Sequence, residues 1–170
     1  MAENTYIDRV SGVNTQKKAI NASAGAGDAN KIVALDSTGR LSSSMMPTGF
    51  AADTKLLPAA EGLAAGALIN VFDDGGTISV RNADATGGIA KQCSGFVKDA
   101  YSVGDPATVF FEGINPALSG LTPGRVYLSA TAGQVTMAPP SGVGVLSQQV
   151  GWAISATELS FEPQDGVVLA

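Results

Sequence analysis

Residues 67–81 read Ala67-Leu-Ile-Asn-Val-Phe72, Asp73-Asp-Gly-Gly76, Thr77-Ile-Ser-Val-Arg81, and this stretch decides the class of the fold. Two runs rich in β-branched and aromatic residues flank an acidic, glycine-closed turn, the pattern of an antiparallel hairpin. In the second run Ile78 and Val80 share one face and Thr77, Ser79 and Arg81 the other, the period of two that an extended backbone imposes. Working outward, similar runs recur between clusters of Gly, Pro, Asn and Asp, while helical periodicity is nearly absent. Strands are expected over Cys93 to Lys98, over Pro106 to Glu112 with Val109 and Phe111 on one face, and over Arg125 to Ala130 with Val126 and Leu128 inward. Thr131-Ala-Gly133 turns the chain into Gln134 to Ala138. Val143 to Ser155 places Val150, Trp152 and Ile154 on one face, read as the core face. Thr157 to Glu162 points Leu159 and Phe161 inward and Glu158, Ser160 and Glu162 outward. The expected fold is all-β: a compact β-barrel or sandwich body of seven or eight short antiparallel strands over residues 56–170, closed so as to protect its edges.

The body is preceded by an extended N-terminal arm, residues 1–55, of different composition. The arm has six Lys or Arg against five acids, a balance of +1, whereas 56–170 has four against ten, or −6. Its apolar residues are sparse and aperiodic, and Ser23-Ala-Gly-Ala-Gly-Asp-Ala-Asn30 is a flexible stretch that buries almost nothing. Lys31-Ile-Val-Ala-Leu35 and Arg40-Leu41, on either side of the turn signature Asp36-Ser-Thr-Gly39, are expected to form a small hairpin. Met45-Met-Pro47 adds an apolar anchor in an extended stretch. Two strands alone are marginal in water, so the arm is expected to dock on another surface.

Composition excludes much chemistry. The 170 residues contain no His, which removes Ser-His-Asp and Cys-His catalysis and His-ligated zinc. Cys93 has no second cysteine to bridge to, and nothing near it in sequence would activate its thiol. A net charge of −5 leaves little positive field for phosphates, so no nucleic-acid partner is expected. The start lacks the apolar core of a secretory signal. The longest uncharged stretch, Val126 to Thr157, holds two prolines and three glutamines and cannot span a membrane as a helix.

The remaining polar groups have plain structural readings. Asp73, Asp74 and Asp84 match no complete calcium loop, and a hairpin turn explains the first two. Glu158 and Glu162 share a strand face, as paired carboxylates for glycoside hydrolysis would, but that face meets solvent and burial is needed to raise an acid's pKa. Thr38 and Ser42-Ser-Ser44 lack a base and read as linker. No catalytic residue, cofactor or metal is expected. Tyr127, opposite Val126 and Leu128, is the better candidate for an exposed contact, and Trp152 is read as core.

Asp28-Ala-Asn-Lys-Ile-Val-Ala-Leu-Asp-Ser-Thr-Gly-Arg-Leu41, followed by Ser44-Met-Met-Pro47, resembles a segment recurrent in tailed-bacteriophage virion proteins. Ala83-Asp-Ala85, Ala107-Thr-Val-Phe-Phe-Glu-Gly113, Leu118-Ser-Gly-Leu-Thr-Pro-Gly124, Val126-Tyr-Leu-Ser129 and Val150-Gly-Trp-Ala-Ile-Ser-Ala-Thr-Glu-Leu159 are similar to the β domain of phage head decoration, or cement, proteins. The likeness covers nearly the whole chain. It implies a non-enzymatic virion protein, often a homotrimer, on the outer surface of the capsid, where it ties neighbouring major capsid proteins together.

Under that resemblance Ile32, Val33, Leu35 and Leu41 lie on arm strands that pair with a capsid or sister subunit, and Met45, Met46 and Phe50 supply apolar anchors. Tyr127 is the expected contact on the body. The competing reading is a tail-fibre or baseplate component with a glycan-binding β tip.

Overall fold

The computed structural model describes residues 5–46 and 52–170, and the chain divides into two units, Met1–Ala51 and Ala52–Ala170. In the first unit, β1 (Thr5–Val10) and β2 (Val13–Lys18) form an antiparallel hairpin with Val10 paired to Val13. Ser11 and Gly12, the two loop residues, both have positive φ, 52° and 84°. Two successive left-handed residues match the right-handed twist of the strands, which is why glycine closes this turn. Short 3-10 turns follow at Ala26–Asp28 and Ser43–Met45.

The expected arm hairpin at 31–41 is not formed. Its turn is present, with the Gly39 amide donating to the Asp36 carbonyl at 3.0 Å. The Asp36 amide also donates to the Arg40 carbonyl at 2.9 Å, but the ladder goes no further, and on the first flank Ile20 takes the backbone groups: it donates to the Ile32 carbonyl at 3.0 Å and accepts from the Ala34 amide at 2.7 Å. The result is a lone parallel bridge between Ile20 and Val33. Met45 likewise lies in a 3-10 turn where an extended stretch was expected.

The body is all-β. Its first sheet comprises β3 (Thr54–Pro58), β4 (Leu68–Asp74), β5 (Thr77–Asn82), β6 (Gly95–Val97) and β7 (Pro106–Phe110), in the order β3-β7-β6-β4-β5. All neighbours are antiparallel. A parallel bridge between Ala59 and Val80, with the Ala60 amide donating to the Val80 carbonyl at 2.8 Å, brings the two outer strands together. The sheet thereby curls toward a small barrel and covers two edges that would otherwise be open.

The second sheet comprises β8 (Gly113–Asn115), β9 (Gly124–Leu128), β10 (Val135–Thr136), β12 (Gln149–Ala153) and β13 (Leu159–Phe161), in the order β10-β9-β12-β13-β8. A separate pair joins β11 (Leu146–Ser147) to β14 (Val167–Val168). The alternation read at 67–81, 106–112 and 125–130 forms strands, at Leu68–Asp74 with Thr77–Asn82, Pro106–Phe110 and Gly124–Leu128. Four strands carry too few alternating residues to be read separately: those at 54–58, 113–115, 146–147 and 167–168. The second unit begins at Ala52, and Thr54 already pairs with Phe110.

Two cores flank the first sheet. Successive residues point to opposite faces, so Ile69 and Val97 join Leu57, Val80, Ala107 and Val109 inside the curled sheet. Leu68 and Phe96 face the other way and pack with Val126, Leu128, Val150, Leu159 and Phe161 of the second sheet. Phe96 anchors that layer, its ring centroid 5.3 Å from Phe110 and 5.2 Å from Phe161. Each such fully buried side chain contributes about 1.5–3 kcal/mol. Ile78, expected to share the face of Val80, is half exposed because it sits beside the hairpin turn, beyond the covered part of the sheet.

Three buried amides hold the loops. Gln148 Oε1 accepts from the Cys93 amide at 2.8 Å, and its Nε2 donates to the carbonyls of Cys93 and Gln164, both at 3.0 Å. A side chain thus replaces a missing strand partner for Cys93. Asn70 Nδ2 donates to the Gln92 carbonyl and its Oδ1 accepts from Arg81 Nε. Asn115 donates to the Gly66 carbonyl at 2.9 Å and accepts from the Ala117 amide.

Candidate interaction surfaces

No described residue of the first unit is buried. Ile7, Val13, Ile32, Val33, Leu35, Leu41 and Met46 are all exposed. Of the anchors expected from the sequence, Met45 is half-buried, and Phe50 lies outside the described residues. Polar contacts shape the segment instead of a core. Asp36 accepts from the Arg40 amide, the Thr38 hydroxyl and the Thr38 amide, and these bonds hold its carboxyl below the usual carboxylate range. Asp28 pairs with Lys31 and accepts from the Ala24 amide, which lowers its pKa in the same way. Asp8 is lowered chiefly by its hydrogen bond from Lys17. A shallow cavity of about 450 Å³ beside the hairpin is lined by Tyr6, Lys17, Lys18, Ile20, Asn21 and Lys31.

On the body, the structure corrects the reading of Trp152. The pairing of β12 with β9 shifts register between Gln149 and Gly151, and Gly151 has φ +147°. This bulge inserts one residue, and a one-residue slip exchanges the faces of everything beyond it. Val150 is therefore fully buried, whereas Trp152 is 47% exposed and Ile154 53%. Trp152 and Ile154 do share a face, but it is the outer one. A Cβ at residue 151 would overlap the Ser160 carbonyl oxygen, so the bulge requires glycine.

Trp152 lies opposite both Arg125 on β9 and Ser160 on β13, and Ser160 lies opposite Ile114 on β8. A single row, Arg125, Trp152, Ser160, Ile114, thus crosses the outer face of four strands. The Arg125 guanidinium sits over the Trp152 ring, 5.7 Å from its centroid. Glu158 and Glu162 stand at either end of β13; Glu162 is exposed, and Glu158 is half-buried, its carboxylate accepting from the Ser155 hydroxyl at 3.1 Å. Tyr127, the contact expected from the sequence, is half-buried on the same outer face, two residues from Arg125. The sequence signal for Trp152 was the glycine inside an otherwise regular strand, which marks a bulge.

The other candidates fall into their structural roles. Asp73 accepts from the Gly76 amide at 2.6 Å in the hairpin turn, and Asp84 accepts from the amide and hydroxyl of Thr86 at the start of the 3-10 segment Ala85–Lys91. Among the described residues no group of three acidic, Cys or His side chains is placed to hold a metal ion. Burial pushes the Cys93 thiol up to about 12, so it is neutral and unreactive at ordinary pH. A second cavity, about 490 Å³, lies between the loop at Ala117–Leu121 and Gly133–Met137. No protein-family model, curated protein or solved structure matches the chain.

Proposed function

We propose that the protein is a virion structural protein that decorates a phage capsid, its first unit gripping neighbouring major capsid proteins and its body forming a non-enzymatic scaffold that assembles as a homotrimer. One observation carries this reading: a segment of about fifty residues with seven exposed large apolar side chains and no described residue buried. Such a segment gains stability only by covering those side chains on another surface. The two outer edges of the β1–β2 ribbon offer main-chain groups for strand addition, and Ile7, Val13, Leu35 and Leu41 offer apolar contact. Lys17 and Lys31 are engaged by Asp8 and Asp28, so the docking is apolar and main-chain in character more than electrostatic.

On a shell, many copies binding only the assembled state would raise its stability by mass action. The test is binding of the purified chain to assembled capsids that lack it. Saturable binding and a higher capsid melting temperature are expected; absence of both overturns the reading. A tail-fibre or baseplate component with a glycan-binding tip is the second reading, and exposed Trp152 is what favours it. A glycan array without signal removes it.

A further inference from the structure

We infer that the outer face of β8, β13, β12 and β9, centred on Trp152, is where the body meets a second copy of this chain. The bulge at Gly151 is the first ground. Without it, regular alternation after Val150 would turn Trp152 into the core; with it, the largest side chain of the molecule stands in water beside Ile154 and, across the sheet, Ile114 at 39% exposure. Bulges that re-aim a side chain are features of sites more than accidents of packing. A Trp with a stacked Arg and a nearby Tyr is the composition of an interface centre.

The second ground is charge. Among the described residues Arg125 has no ion-pair partner, and none of its row neighbours is acidic. Glu158 and Glu162 stand two strands away, at about 10 Å across the sheet, also without an ion-pair partner among the described residues; the Glu158 carboxylate accepts from the Ser155 hydroxyl. One face therefore holds an unpaired cation at one side and two unpaired carboxylates at the other, with an apolar centre between. A second copy brings its carboxylates to Arg125 and its own Arg125 edge to another set, which satisfies the charges without a foreign partner. A saccharide would leave the exposed Ile154 and Ile114 uncovered, and a glycan array tests that occupant.

The inference rests on the decoration reading only in expecting copies to associate, and it concerns the body alone. The experiment is sedimentation velocity of the full chain over a concentration series up to about 100 μM, a weak-affinity ceiling. The unsubstituted chain is expected to associate reversibly. Trp152→Ala should weaken association at least about tenfold, as truncating an interface centre does. Arg125→Glu alone and the pair Glu158→Arg with Glu162→Arg should each weaken it, and all three together should restore it. Arg125, Trp152 and Glu162 are exposed and Glu158 is half-buried, with a hydroxyl bond from Ser155 to lose, so thermal melting of each variant is read beside its association.

A monomer at every concentration, or association indifferent to Trp152→Ala, overturns the inference. Failure of the triple variant to reassociate overturns the charge pairing. A glycan-array signal abolished by Trp152→Ala reassigns the face to sugar. Capsid binding that survives any of these outcomes leaves the decoration reading standing, since that depends on the first unit.

Discussion

Gly151 has a backbone that side chains rarely adopt, φ +147°, at a point where any Cβ would strike the Ser160 carbonyl. Gly151→Ala must therefore either distort the bulge or separate β12 from β13. A loss of about 2–4 kcal/mol is expected, measured as a lower denaturant midpoint with an unchanged slope. Cys93 makes a different prediction. Its thiol, ordinarily near 9.0, is pushed up to about 12 by burial. A group whose pKa is raised by folding contributes fully below its unfolded value, so stability should be insensitive to this thiol up to about pH 9. Between pH 9 and 12 the unfolded chain releases the proton first, and stability falls by about 1.4 kcal/mol per pH unit. The difference in stability between the parent and Cys93→Ala should accordingly shrink from pH 9 upward. A constant difference would show that the thiol ionises freely in the folded state.

At the scale of elements, legibility followed the length of the apolar–polar alternation and not the length of the strand. The runs at 68–74 and 77–82 alternate over enough residues for their faces and turn to be read directly, and the same holds at 106–110 and 124–128. Strands of two or three residues, such as Gly113–Asn115 and Val167–Val168, exist only because a neighbour fixes their register, which no local pattern states. The hairpin at Thr5–Lys18 carried its signal in Ser11-Gly12, two turn residues between equal runs, and was hidden by strands whose side chains are mostly polar. At Trp152 the period of two holds only from Trp152 to Ile154, because the bulge at Gly151 separates both from the face of Val150. The C-terminal strand yields a prediction at this scale. Ending the chain at Asp165 removes β14, the bond from the Leu169 amide to the Val145 carbonyl and that from the Gly144 amide to the Leu169 carbonyl, and uncovers Leu146. A single cooperative transition should persist, with stability lower by about 1–3 kcal/mol in chemical denaturation.

For the whole molecule, every residue of both hydrophobic cores lies at Leu57 or later in the chain. No described residue of the first unit is buried. Deleting residues 1–51 should leave a body that melts cooperatively, with stability within about 1 kcal/mol of the full chain, since removing surface that is not part of a core changes little. The isolated segment 1–51 should show no cooperative transition, because one two-stranded ribbon is marginal in water. Under the decoration reading, the truncated body should keep its self-association through the Trp152 face and lose binding to capsids. Differential scanning calorimetry, sedimentation and capsid co-sedimentation on the same two proteins separate these effects. A truncated body that fails to melt cooperatively would mean that residues 1–51 belong to the folding unit. A truncated body that still binds capsids would move the gripping surface onto the β domain itself.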